Sequence, residues 1–200
     1  MRKLFVTGIS FIFLSCLSID SKMTLAANGS GSLELVYTVS SFARDWDASG
    51  SGNSPLPLPV NEGDFRRSVN MIQGISLTSY SRREENDSTV IRAVLGFTSV
   101  EALNRFVAGP QSVFALRQEG TRTIFEQTIT EGTKSSLGED YLEFVRTFFS
   151  PYVLSFTLTA PRAVTRAIPS QNVLGQTASV SFPLAHVMES SQPVIWQVEW

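Results

Sequence analysis

Lys22-Met23-Thr24-Leu25-Ala26-Ala27-Asn28-Gly29-Ser30-Gly31-Ser32-Leu33-Glu34-Leu35-Val36-Tyr37-Thr38-Val39 reads as a β-hairpin. Lys22 to Ala26 alternates in polarity, and Asn28-Gly29 is the dipeptide that best tolerates the positive φ angles of a tight hairpin turn. The return strand answers with Leu33, Leu35, Tyr37 and Val39 on one side. Side chains two apart on a strand share a face, so this pattern describes a sheet with one buried and one wet side.

The same alternation recurs downstream. Ile75, Leu77 and Ser79 form an outgoing strand, and Ile91, Ala93, Leu95 and Phe97 share a face on its return. Ser112–Arg117 and Arg122–Ile129 flank a Glu119-Gly120 turn, and Tyr152, Leu154, Phe156 and Leu158 alternate after Pro151. Ser179–Phe182 and Val194–Trp200 close the chain as strands, and 159–176 reads as loop or an added hairpin. Three helices are expected between them. Asn61 and Asp64 open the first, with Phe65, Val69 and Ile72 on one face and Gly74 as its stop. Thr98 and Glu101 form a capping box for the second, whose stripe is Val100, Leu103, Phe106 and Val107. The third, 138–150, has Glu139 and Asp140 in its first turn, which complements the helix dipole. Its core face is Tyr141, Leu142, Val145, Phe148 and Phe149. The expected architecture is α+β: one antiparallel, strongly curved sheet of about seven to nine strands, with three main helices mostly on one face. Such a curved sheet backed by helices is an architecture able to hold a lipid-like ligand.

Upstream of the hairpin, Arg2 and Lys3 precede the uncharged apolar run from Leu4 to Ser15, which ends at Cys16, the single cysteine of the 200 residues. A basic start followed by about a dozen apolar residues is a secretory leader, short of the roughly 20 residues a spanning helix needs. Ile12-Phe13-Leu14-Ser15-Cys16 resembles the lipobox of bacterial lipoproteins, with a small residue immediately before the thiol. That resemblance implies a diacylglyceryl thioether on Cys16, cleavage between Ser15 and Cys16, and acylation of the new amino terminus by a fatty acid such as palmitate. The chain then divides into a signal peptide (1–15), a lipidated tether (16–21) and one domain (22–200) with a Gly/Ser/Pro-rich loop at 48–59. Two alternatives remain open: an ordinary signal peptide cut near Thr24-Leu25-Ala26-Ala27, or an uncleaved apolar anchor.

Composition narrows the function. Hydrophobic residues make up 42% of the chain, enough for a core. Past residue 15 there remain 14 basic against 18 acidic residues, a formal charge of −4, which argues against nucleic acid as a partner. Arg66-Arg67 and Arg82-Arg83 read as solvated surface. A lone cysteine forbids an internal disulfide, so an exported domain must rest on its core.

Catalytic signals are sparse. His186, the only histidine, sits among apolar neighbours and reads as structural, and no second His or Cys exists to share a zinc ion with it. No nucleophile elbow, phosphate loop or dinucleotide fingerprint is present. Asp45-Trp46-Asp47 is the best carboxylate pair, able to act as acid and base or to hold calcium; the competing reading is a wet loop around a packed Trp. The opening Asn28-Gly29-Ser30-Gly31 turn with Leu33-Glu34-Leu35-Val36-Tyr37 resembles the LppM-type domain of bacterial lipoproteins. So do Pro161-x-x-Val164, Gly175 and Ala178-Ser179-Val180-Ser181-Phe182. That resemblance implies an exported α+β domain associated with lipid or glycolipid binding. The family's usual membrane-spanning helix after the domain has no counterpart before Trp200.

The leading expectation is therefore a lipid-anchored, non-enzymatic protein of the bacterial envelope, membrane-bound through Cys16, with a lipid-like ligand and no cofactor or metal. The alternatives are a surface lipoprotein acting through protein contacts, as an adhesin or assembly factor, and a hydrolase built on Asp45 and Asp47.

Overall fold

The computed structural model describes residues 16–40, 59–85, 88–108, 113–132 and 138–200. In chain order their elements are β1 (Cys16–Leu25), β2 (Gly31–Ser40), α1 (Glu62–Asn70), β3 (Ile75–Glu85), β4 (Ser88–Phe97), α2 (Val100–Ala108), β5 (Phe114–Glu119) and β6 (Arg122–Thr130). They continue with α3 (Glu139–Phe149), β7 (Val153–Thr159), β8 (Arg166–Ile168), β9 (Asn172–Leu174), β10 (Thr177–Pro183), α4 (Leu184–Glu189) and β11 (Val194–Glu199).

The β1–β2 hairpin forms as its alternation demands. Met23 stands opposite Leu33 and Leu25 opposite Gly31. The turn is tied by Asn28, whose Oδ1 accepts from the Ser30 amide at 3.1 Å and from its hydroxyl at 2.7 Å, while Gly29 takes φ +80°. Gly31 is needed for a different reason: a Cβ there would lie 2.0 Å from the Thr24 carbonyl oxygen and 2.7 Å from the Phe97 ring. On the far side of β2, β4 pairs Leu33 with Leu95 and Tyr37 with Ile91, and Leu33, Leu35, Tyr37, Val39, Ile91, Ala93, Leu95 and Phe97 are all buried.

The expected single antiparallel sheet is corrected in three ways. The described residues form two sheets, one of seven strands in the order β3-β4-β2-β1-β7-β10-β9 and one of four in the order β5-β6-β11-β8. The larger is mixed, because β7 runs parallel to β1, with Ile19 beside Leu154 and Thr24 beside Thr159. Neither sheet is strongly curled. The physical reason is that β2 occupies one side of β1 through the hairpin and leaves the other to whichever strand returns. A parallel pairing needs a long crossover, and the chain between β1 and β7 supplies one. The second hairpin, β5–β6, joins the C-terminal β11 instead of widening the first sheet. The segment 159–176 is no hairpin of its own: β8 pairs with β11 and β9 with β10.

Both sheets and the four helices of the described residues feed one core. Phe65 of α1 is fully buried, its ring stacked on Phe106 of α2 and tilted against Tyr80 of β3. The chain entering α1 is held to the sheet by two tyrosine hydroxyls. Tyr37 donates to the Pro59 carbonyl, and Tyr80 donates to the Val60 carbonyl at 2.8 Å. Asn61 stands at the N-cap of α1 but makes no capping hydrogen bond; its Oδ1 accepts from Arg82 at 3.0 Å instead. The cap of α2 is Ser99, one residue later than expected: its Oγ accepts from the Ala102 amide at 3.2 Å. The backbone amide of Glu101 itself, with the Ser99 hydroxyl beside it, holds the Glu101 carboxyl below its usual range.

The basic pairs are surface groups with partners. Arg66 meets Glu62, Arg67 meets Asp64, Arg82 meets Glu84, and Arg83 meets Glu85. On β3, at the edge of the larger sheet, these charges also discourage pairing with another chain. The third helix needs one correction. Val145 and Phe149 are buried as expected, but Phe148 is 57% exposed and lies outside the core.

Candidate functional site

The strand that leads to the candidate anchor is the middle of the larger sheet. β1 begins at Cys16, whose backbone stands opposite Val39, and a bulge separates that pair from the regular register that starts at Ser18 opposite Thr38. The expected tether at 16–21 is therefore corrected: Ile19, Asp20 and Ser21 pair with β2 on one side and with Leu154, Ser155 and Phe156 of β7 on the other. Ser21 is itself buried. Any group on Cys16 is thus held within about two residues of a paired, two-sided strand.

The other candidate residues scatter. His186 lies on the short α4, where Leu184, Ala185 and Val187 turn inward and the imidazole faces solvent. Its apolar neighbours come from helical periodicity, which buries the residues flanking it. His186→Gln is accordingly expected to change stability by no more than about 0.5 kcal/mol, as surface substitutions usually do. A thermal melt checks this, and a loss beyond that range would mean the ring has a structural partner. Asp45, Trp46 and Asp47, and the 48–58 part of the expected loop, lie outside the described residues. Among the described residues no three His, Cys, Asp or Glu side chains gather as metal ligands, and no helix is long and apolar enough to cross a membrane.

Two features escaped the sequence reading. One is Trp196, 1% exposed in the core beside Phe125, whose indole Nε1–H has no hydrogen-bond partner among the described residues. The other is an exposed aromatic pair on α3: Phe144 and Phe148 lie 4.7 Å apart between ring centroids. Their i, i+4 spacing was visible in the sequence, but Phe148 also follows Val145 at core spacing, so periodicity alone assigned it inward.

The geometry defines an α+β domain of two sheets around one core. No protein-family model matches the chain, and no curated protein does. Among solved structures, the chain is similar to the NMR structure of the Mycobacterium tuberculosis LppM protein folded domain. The two share 14% sequence identity with a TM-score of 0.49, over 91% of this chain and 87% of that one.

Proposed function

We propose that this chain is a lipid-anchored, non-enzymatic protein of the bacterial envelope, attached to its membrane through Cys16. The observation that supports this best is what each cleavage site would do to the fold. A cut between Ser15 and Cys16 leaves β1 whole. A cut after Ala26 or Ala27 removes all of β1, which pairs with β2 and β7 and buries Met23 and Leu25. Losing a two-sided central strand strips ladder hydrogen bonds from both neighbours and opens the core, so the lipobox is the cut compatible with this domain.

Acylation would make the attachment durable. Each buried CH₂ contributes about 0.8 kcal/mol, so one chain binds marginally and two or three bind firmly. The full-length protein should incorporate a fatty-acid probe and partition into the detergent phase, and Cys16→Ser should abolish both. A mature amino terminus found at Ala27 or Asn28 would overturn the reading.

The lipid-like ligand is a second part of the proposal, favoured by the orphan indole of Trp196. A buried donor without an acceptor costs about 1–3 kcal/mol, and a ligand's polar atom would relieve it. Native mass spectrometry of the gently purified full-length protein tests this. Co-purified lipid supports it, and protein that stays free of lipid when offered envelope lipid extract counts against it.

A further inference from the structure

The attachment end of the domain carries a second apolar feature. Ile19 of β1 stands beside Leu154 of β7, the first pair of their register, so the start of β7 at Val153 lies next to the start of β1. Val153 is 39% exposed. Neighbouring strands lie about 4.8 Å apart and rise about 3.3 Å per residue, which places the Cys16 backbone on the order of 10 Å from Val153. α3 ends against the same corner. Its last residue, Phe149, accepts from the Tyr152 amide at 3.1 Å, and the Tyr152 carbonyl accepts from the Leu184 amide at 2.9 Å, which fastens α4 there too. Phe148, 57% exposed, and Phe144, 39% exposed, lie 4.7 Å apart on α3, whose last turn leads directly into the start of β7 beside β1.

The aromatic pair is held outward. Val145 and Phe149 take the core side of α3, and the Phe144 ring meets Phe149 edge-on at 5.9 Å, so a buried ring supports the exposed ones. Arg146, on the adjoining helix face, is committed to Glu189 of α4 at 3.0 Å. The other exposed apolar side chains of the larger sheet lie elsewhere. Leu174, 85% exposed, follows the register through Thr177 and Thr159 to Thr24, the end of β1 remote from Cys16.

We propose that Phe144 and Phe148 form a membrane-contact surface that lies against the bilayer beside the amino-terminal attachment and fixes the orientation of the domain on it. The occupant is a lipid surface because of what stands next to the patch: whether Cys16 carries acyl chains or the apolar run Leu4–Ser15 is retained, the hydrophobic attachment is delivered at this corner. Rings on a helix face enter the headgroup–acyl boundary by about 5–10 Å, which suits a pair of phenylalanines close to an attachment made at the first residue of a paired strand. The proposal rests on the membrane attachment argued above, and its test separates the two.

Phe148→Trp is made in the full-length chain and reconstituted into phosphatidylethanolamine–phosphatidylglycerol vesicles whose acyl chains carry bromine, with Leu174→Trp as the remote control. Emission is compared with the parent chain, which holds Trp46, Trp196 and Trp200. The expected result is bromine quenching of the tryptophan at 148 and none beyond the parent at 174. No added quenching at 148, or equal quenching at both positions, would overturn the surface. Fatty-acid labelling of the same preparations reads the anchor independently. Label without quenching at 148 discards the surface and keeps the anchor, and quenching without label keeps the surface and discards the acyl chemistry. Should Phe148→Trp fail to melt cooperatively, Phe144→Trp carries the same test.

Discussion

Asn104→Ala is expected to cost the domain about 3–5 kcal/mol, a large share of the 5–15 kcal/mol that holds a domain together. Asn104 sits on α2 and is 8% exposed, yet its amide does the work of a strand. Its Oδ1 accepts from the Val113 amide at 3.0 Å and the Phe114 amide at 2.8 Å, and its Nδ2 donates to the Phe114 carbonyl at 2.7 Å. The side chain thereby fixes where β5 starts and docks the smaller sheet on α2. Truncation removes these hydrogen bonds together and leaves buried backbone groups without those partners, the costly side of hydrogen-bond energetics. Asn104→Asp separates the contributions: it keeps both acceptor bonds but turns an oxygen toward the Phe114 carbonyl. A protonated carboxyl there could still donate, so the folded-state pKa of the new group should be raised. The variant should then be more stable in mild acid and lose stability as pH rises through that pKa. Urea titrations at two pH values read both effects. A loss under about 1 kcal/mol for Asn104→Ala would mean that α2 does not set the position of β5.

Asn104 also marks the limit of what sequence patterning conveys. One-sided burial writes a period of two, so β2, β4, β7 and β10 were legible from Leu33–Val39, Ile91–Phe97, Leu154–Leu158 and Ala178–Phe182. Helical periodicity likewise placed α1, α2 and α3. Partner choice is not written that way. Nothing local in Ile19–Met23 says that its second neighbour is Leu154–Leu158, far along the chain and parallel, because the alternation is the same for either direction. The same holds for Thr123, whose amide and carbonyl are exchanged with Trp200, closing the second sheet across most of the C-terminal half. Three-residue strands such as β8 and β9 are too short to carry any period. At the candidate site, the proposal for Cys16 rests on contiguous residues, the kind of signal a lipobox resemblance carries. That its strand is central, and therefore that a later cut would be ruinous, depends on pairings with β7. The exposed Phe144–Phe148 pair was hidden by its own spacing, which is equally that of a core stripe.

That ambiguity gives the second large expected effect, a contrast between adjacent phenylalanines. Phe149→Ala should cost about 3–5 kcal/mol, whereas Phe148→Ala should stay within about 0.5–1 kcal/mol. Phe149 is 5% exposed beside fully buried Val145, with Tyr152 packed edge-on at 6.5 Å, so truncation leaves a cavity where α3 meets the start of β7. The loss should be large because Pro151 and the Tyr152 bonds fix the reversal, and the surrounding atoms cannot collapse inward without moving α4. Phe148 has no such enclosure, and its truncation removes mainly its contact with Phe144. Denaturant melts of the two variants decide the matter without lipid. Membrane-bound protein should then invert part of the ranking. If the exposed ring enters the bilayer, Phe148→Ala weakens orientation on vesicles while leaving the fold intact, and Phe149→Ala weakens the fold in either setting. Equal costs in solution would mean that both rings face the core, and the surface assigned to α3 would then lose Phe148.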